Sequence, residues 1–84
     1  MSKVIVYSSA NCPYCVRAKE LLDRKGVQYD EIRVDQDTFQ RDIMMEKSGR
    51  RTVPQIFIND KPIGGCDDLY ALEKSGELTR LLAG

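Results

Sequence analysis

No histidine occurs anywhere in these 84 residues, and no tryptophan. The first absence excludes Cys-His and Ser-His nucleophile pairs and any zinc site that needs an imidazole ligand. Only three cysteines are present, too few for four thiolates around zinc and too few for the disulfide framework of a small secreted protein. Excess charge of one sign is missing too: 13 Lys plus Arg balance 13 Asp plus Glu. Nothing in that balance points to nucleic acid or to a membrane surface. No apolar run approaches the roughly 18 residues of a membrane span, and Met1-Ser2-Lys3 leads into a run too short for a secretory signal. The chain is therefore expected to be one domain over residues 1–84, cytoplasmic, with one modest core.

These absences leave one stretch for chemistry, Cys12-Pro13-Tyr14-Cys15. Taken alone, a Cys-x-x-Cys also fits two small buried apolar residues or half of a metal site. Placed after a strand and at a helix start, it reads as redox. Pro13 suits the first helical position, because its missing N–H would go unpaired there, and it pushes Cys12 into a cap conformation. Side chains at i and i+3 then come within about 5–6 Å, close to the roughly 3.5–4.5 Å between Cβ atoms that a disulfide needs. A small local adjustment makes or breaks the bond. The N–H groups of Tyr14 and Cys15, with the positive end of the helix dipole, favour thiolate over thiol at Cys12. Such positions lower a cysteine from about 8.5 into the range of roughly 3.5–7.5. Cys12 is the expected nucleophile and Cys15 the resolving thiol.

Around this stretch the pattern is that of alternating strands and helices. Val4-Ile5-Val6-Tyr7 is apolar without alternation, as in a central strand covered on both faces. A helix from Pro13 to about Lys25 turns Cys15, Ala18, Leu21 and Leu22 inward and ends at Gly26. Gln28 to Val34 reads as an edge strand, and a right-handed parallel crossover joins it to the first. Asp37 with Gln40 has the spacing of a capping box, so a second helix runs to Lys47, with Phe39, Ile43 and Met44 as its inner stripe. Met44 and Met45 read as core filling. Gln55 to Ile58 and Lys61 to Ile63 form a hairpin around Asn59-Asp60, and Gly64-Gly65 ends it. A helix from about Asp67 to Ser75 and a short helical stretch with Leu78, Leu81 and Leu82 finish the chain. The predicted architecture is α/β, a four-stranded mixed sheet in the order β-α-β-α-β-β-α with helices on both faces.

Three segments together carry a family resemblance: Cys12-Pro13-Tyr14-Cys15, Thr52-Val53-Pro54-Gln55-Ile56-Phe57-Ile58, and Gly64-Gly65-Cys66-Asp67-Asp68-Leu69. In this order and spacing they resemble the dithiol glutaredoxins of the short bacterial kind, over essentially the whole chain. The resemblance implies a thioredoxin fold and glutathione-dependent thiol–disulfide exchange on protein disulfides and glutathione mixed disulfides. Glutathione is then a co-substrate, no cofactor or metal is held permanently, and the protein is a monomer. The resemblance also makes Pro54 a cis proline and lets the Val53 backbone pair with the cysteinyl part of glutathione. The N–H groups of Cys66 and Asp67 would take the γ-glutamyl carboxylate at a helix start, and Asp68 would face the ammonium group. Tyr14 would lie beside the sulfur, Thr52 next to the turn, and Arg41 at the glycyl carboxylate.

Read on their own, Gly64-Gly65 also fits a plain hairpin-to-helix turn and Asp67-Asp68 a simple cap. Arg50-Arg51 reads as a solvated pair that gives anionic glutathione a basic rim. Cys66 reads as a small, partly buried residue. One departure from the family pattern stands out: many relatives carry lysine three residues before the first cysteine, where this chain has Ser9. Thiolate stabilisation then falls to the helix start and to Lys19 or Arg17, so Cys12 is expected to be less acidic than in relatives with that lysine. Two rival readings are electron supply from a flavoprotein reductase, disfavoured by the glutathione-site residues, and an iron–sulfur carrier bridged by Cys12 and two glutathiones, disfavoured by Pro13.

Overall fold

The computed structural model describes residues 2–83. Eight elements follow one another: β1 (Val4–Ser8), α1 (Pro13–Arg24), β2 (Asp30–Arg33), α2 (Thr38–Ser48), β3 (Gln55–Ile58), β4 (Lys61–Gly64), α3 (Cys66–Ser75) and α4 (Glu77–Ala83). The strands form one mixed sheet in the order β2-β1-β3-β4, with β1 parallel to β2 and antiparallel to β3. The unalternating apolar run of β1 is thereby explained, because β1 lies inside the sheet and is covered above and below.

Strand side chains alternate between the two faces, and each face has its own core. Val4 and Val6 of β1 join Ile56 and Ile58 of β3 against Ala18, Leu21 and Leu22 of α1, Leu69 of α3 and Leu78 of α4. Tyr7 and Phe57 point to the other face and pack with Val34 and Met44. Their rings meet edge to face with centroids 5.6 Å apart, an arrangement worth about 0.5–1.5 kcal/mol beyond the area buried. Leu22 has no exposed surface. Cutting it to alanine removes a contact of α1 with the sheet and costs about 2–5 kcal/mol.

Local chemistry sets the element ends. Asp37 caps α2 as its spacing predicts, with Oδ1 accepting from the backbone of Phe39 at 3.1 Å and of Gln40 at 3.2 Å. Helix α3 begins one residue earlier than expected, at Cys66, because Asp68 reaches back to accept the Gly65 N–H at 3.0 Å. Gly64 lies directly against the Asp68 carboxylate at φ 115°. A side chain there would both strain the backbone and collide with that carboxylate.

Two expectations need correction. Phe39 is not part of the inner stripe of α2 but 69% exposed. The buried face centres on Met44, and five residues at 100° each put Phe39 about 140° away from it. Strand β2 is also shorter than expected, although the Val34 N–H still donates to the Ser8 carbonyl at 2.9 Å.

Candidate active site

Cys12 is the N-cap of α1, with extended backbone at φ −117° and ψ 97°, and Pro13 follows at the first helical position. The loop that carries it leaves the end of β1, one of the two strands paired on both sides, so the sulfur is set from the interior of the sheet. Cys12 and Cys15 are disulfide-bonded with Cα atoms 5.2 Å apart. The Cys15 N–H points at the Cys12 sulfur at 3.1 Å, the helix-start donor expected from sequence. Exposure separates the two: Cys15 is 1% exposed and Cys12 is half-buried. Only Cys12 is open to an incoming sulfur.

The turn before β3 comes up beside this sulfur. The Val53–Pro54 peptide is cis, and the Val53 carbonyl oxygen lies 3.9 Å from Cys12 Sγ. In the disulfide form this is a contact without a hydrogen; in the dithiol form the Cys12 S–H can donate to it. Close behind the turn stands the start of α3. A Cβ added at Gly65 would lie 3.3 Å from the Pro54 carbonyl, so a glycine lets the helix start approach the turn.

Between turn and helix start is a cleft of about 310 Å³, within the size range of small-molecule sites. Tyr14, Thr52, Val53, Pro54, Cys66, Asp67 and Asp68 all line it, so seven residues expected at a glutathione site meet in one place. Arg41 does not join them. It stands exposed on α2 and is absent from the cleft lining.

Two residues of this region were given no contact in the site by the sequence. Arg50 read as one of a solvated pair, yet it lines the cleft and its Nη1 meets Asp68 Oδ2 at 2.8 Å. Gln55 read as the first residue of a strand, yet its side chain turns back and donates to the Thr52 carbonyl at 3.0 Å. For Gln55 there was a signal, a polar residue opening an otherwise apolar run.

The charges follow from these contacts. The Gly65 N–H, and after it the Arg50 guanidinium, hold the Asp68 carboxyl below the ordinary carboxylate range. Burial pushes the Cys66 thiol up, and Asp67 adds to this. A second cleft, beside the loop after β1, is lined by Ser9, Cys12, Cys15, Val16, Lys19 and Glu31 among others. Lys19 was expected to support the Cys12 thiolate, but its Nζ is 2.8 Å from Glu31 Oε2 and Ser8 Oγ donates to the same oxygen. The Lys19 hydrogen bond, then that of Ser8, lowers the Glu31 carboxyl. Much of the Lys19 charge is answered locally before it reaches the sulfur.

A glutaredoxin family model matches residues 4–63. The chain is 52% identical to glutaredoxin 3 of Escherichia coli K12 over 82 residues, which is 98% of this chain and 99% of that one. It is 51% identical to a glutaredoxin of Pseudomonas aeruginosa over 83 residues, 99% of both chains. Among solved structures, a buckwheat glutaredoxin–glutathione complex superposes with a TM-score of 0.90 at 35% identity, over 98% of this chain and 77% of that one. The solution structure of glutaredoxin from Brucella melitensis superposes with a TM-score of 0.84 at 54% identity, over 95% of this chain and 87% of that one. The sheet order and the cysteine pair at the start of α1 thus belong to a thioredoxin fold, and the chain is a member of the glutaredoxin family, the glutathione-dependent thiol–disulfide oxidoreductases.

Proposed function

We propose that the Cys12 thiolate is the nucleophile of two linked reactions, both of which end with glutathione as the reductant. With a glutathionylated protein, Cys12 attacks the glutathione sulfur, a Cys12–glutathione disulfide forms, and the protein leaves as a thiolate that takes up a proton. A second glutathione thiolate then attacks the glutathione sulfur, oxidised glutathione leaves, and the Cys12 thiolate returns. With a protein disulfide, Cys12 forms a mixed disulfide with one protein sulfur. The Cys15 thiolate attacks Cys12 Sγ, releases the reduced protein and closes the Cys12–Cys15 disulfide. Two glutathiones reopen it and leave as one oxidised dimer.

The observation that carries this reading is the position of Cys12 Sγ, half-buried at a helix start and 3.9 Å from the Val53 carbonyl at the side of the cleft. Glutathione fits the cleft with its cysteinyl backbone along Val53, strand against strand. Its γ-glutamyl carboxylate meets the Cys66 and Asp67 N–H groups at the start of α3, where the helix dipole favours an anion. Asp68 faces the ammonium group, and Tyr14 and Thr52 close the flanks. The buckwheat relative was crystallised as a glutathione complex, which supports the same ligand here. Glutathione is a co-substrate in this reading and not a resident cofactor. Disulfide-bonded and glutathionylated proteins are the partners of one monomeric domain working in the reducing cytoplasm.

Glutathione-coupled reduction of a small mixed disulfide and of a protein disulfide, by wild type, Cys12→Ser and Cys15→Ser, tests the assignment. Cys15→Ser is expected to keep deglutathionylation and to lose most protein-disulfide reduction, while Cys12→Ser loses both. Activity remaining in Cys12→Ser would overturn it.

A further inference from the structure

Gln55 opens β3, a strand whose four residues are all buried, and is itself 1% exposed. A buried amide costs stability unless its polar groups are paired, so packing alone favours an apolar residue here. This amide is only half paired. Nε2 donates to the Thr52 carbonyl at 3.0 Å and lies 3.4 Å from the Thr52 hydroxyl. Oε1 is buried with no hydrogen-bond partner among the described residues. Because a carbonyl only accepts, the Thr52 contact fixes which way round the amide sits. An unmet buried acceptor costs stability. A residue kept at such a cost against the packing rule marks a place where stability gives way to another requirement.

That requirement is visible in what the side chain spans. It closes a loop from Gln55 back to Thr52, and inside the loop lie Val53 and Pro54, whose backbone stands beside the sulfur. The Gln55 backbone pairs with Tyr7 in the antiparallel register of β3 on β1. Strand β1 ends one residue later, at Ser8, and its loop carries Cys12. One residue therefore connects both partners of the 3.9 Å contact: its main chain is registered to the strand that sets Cys12, and its side chain holds the turn that sets Val53.

We propose that Gln55 is a positioning residue for the reaction at Cys12: its buried amide holds the Thr52 carbonyl and so sets the direction in which the Val53 backbone is presented beside the sulfur. The inference rests on the reading that the Val53 backbone receives the peptide part of glutathione. It concerns alignment of the substrate and leaves the intrinsic reactivity of the Cys12 sulfur unchanged. Packing and positioning make opposite statements about removal of the amide. If Gln55 only fills space, an apolar residue of similar length serves equally well. If it positions the turn, that residue gains stability and loses alignment, a trade met where sites are held against the folding optimum.

Gln55→Met and Gln55→Leu separate the two, with three measurements on each. The first is kcat/KM for a glutathionylated peptide in the glutathione-coupled assay, the second the rate of Cys12 alkylation by iodoacetamide, which has no peptide backbone to align, and the third the Tm. The expected result is a fall in kcat/KM of about tenfold, the effect of one hydrogen bond to the turn, carried by KM. Alkylation stays within about twofold and Tm is unchanged or higher, since the unmet oxygen is gone. Wild-type kcat/KM in both variants overturns the proposal, and so does an equal loss in peptide reduction and alkylation. Failure of the wild type itself to reduce the peptide with glutathione overturns the underlying reading, and that result appears before any variant is made.

Discussion

The Arg50 guanidinium meets the Asp68 carboxylate at 2.8 Å across the rim of the cleft beside Cys12. The same oxygen, Oδ2, accepts the Gly65 N–H at 3.0 Å. Asp68 thus serves the helix start and the cleft at once. Both side chains of the ion pair are about half exposed, and such pairs contribute about 0.2–1 kcal/mol. Asp68→Asn keeps an acceptor for Gly65 and removes the charge that would face an ammonium group. It is expected to raise KM for glutathione about five- to tenfold, as loss of a charge-assisted hydrogen bond does, with kcat within about twofold. Arg50→Gln is expected to move KM less. Steady-state kinetics on the two variants decide, and an unchanged KM in Asp68→Asn removes Asp68 from the ligand site.

Ser9, Lys19 and Glu31 line the cleft that both cysteines share, and Lys19 is answered there by Glu31. A new cation or the loss of the anion should both favour the Cys12 thiolate. In Ser9→Lys and in Glu31→Gln the Cys12 thiol is expected to ionise at lower pH than in wild type, followed by thiolate absorbance in the ultraviolet. An upward shift in Ser9→Lys contradicts the charge argument.

Stability against acid follows from three carboxyls held below their ordinary values. Asp35 is lowered to about 2, mainly by the Arg33 hydrogen bond, and Glu31 and Asp68 are lowered by Lys19 and by the Gly65 N–H respectively. A carboxyl with a lower value folded than unfolded stabilises the fold above its unfolded value and loses that contribution as pH falls through the folded one. The urea midpoint is expected to be level near neutrality and to fall below about pH 4. Arg33→Gln should make that fall shallower, and an identical acid limb in the variant argues against the Asp35 contribution.

Cys66 is 6% exposed and its thiol is pushed up by burial. In the reduced protein it should react with iodoacetamide much more slowly than Cys12, as mass mapping of the alkylated peptides would show. A thiol with a raised folded value gives its stability below the unfolded value, about 8.5, and loses it as pH rises through the folded one. Cys66→Ala is therefore expected to flatten the alkaline fall in stability. Alkylation of Cys66 as fast as Cys12 would mean the helix start opens readily.

The dithiol, the Asp37 cap and the apolar stripe of α1 were legible in sequence because each depends on neighbours three or four residues away. The three-segment pattern likewise located Val53, Pro54 and the start of α3. Phe39 was misplaced because it sits early in α2, where the rotation of the helix against the sheet, set by Met44 and the core beneath it, decides which positions turn outward. Lys19 and Arg50 needed partners 12 and 18 residues away, Glu31 and Asp68. Pairings at that separation come from tertiary packing and leave no periodic trace in a sequence.

Cys12 is anchored through β1, an inner strand, while most of the cleft wall comes from the turn before β3 and the start of α3, roughly forty to fifty-five residues further along. Reactivity and most of recognition are thus written in separate stretches of chain that meet only in space, with Tyr14 belonging to both. A lineage can rewrite its choice of partner at positions 50–54 and 65–68 while the two sulfurs at positions 12 and 15 pass on unaltered.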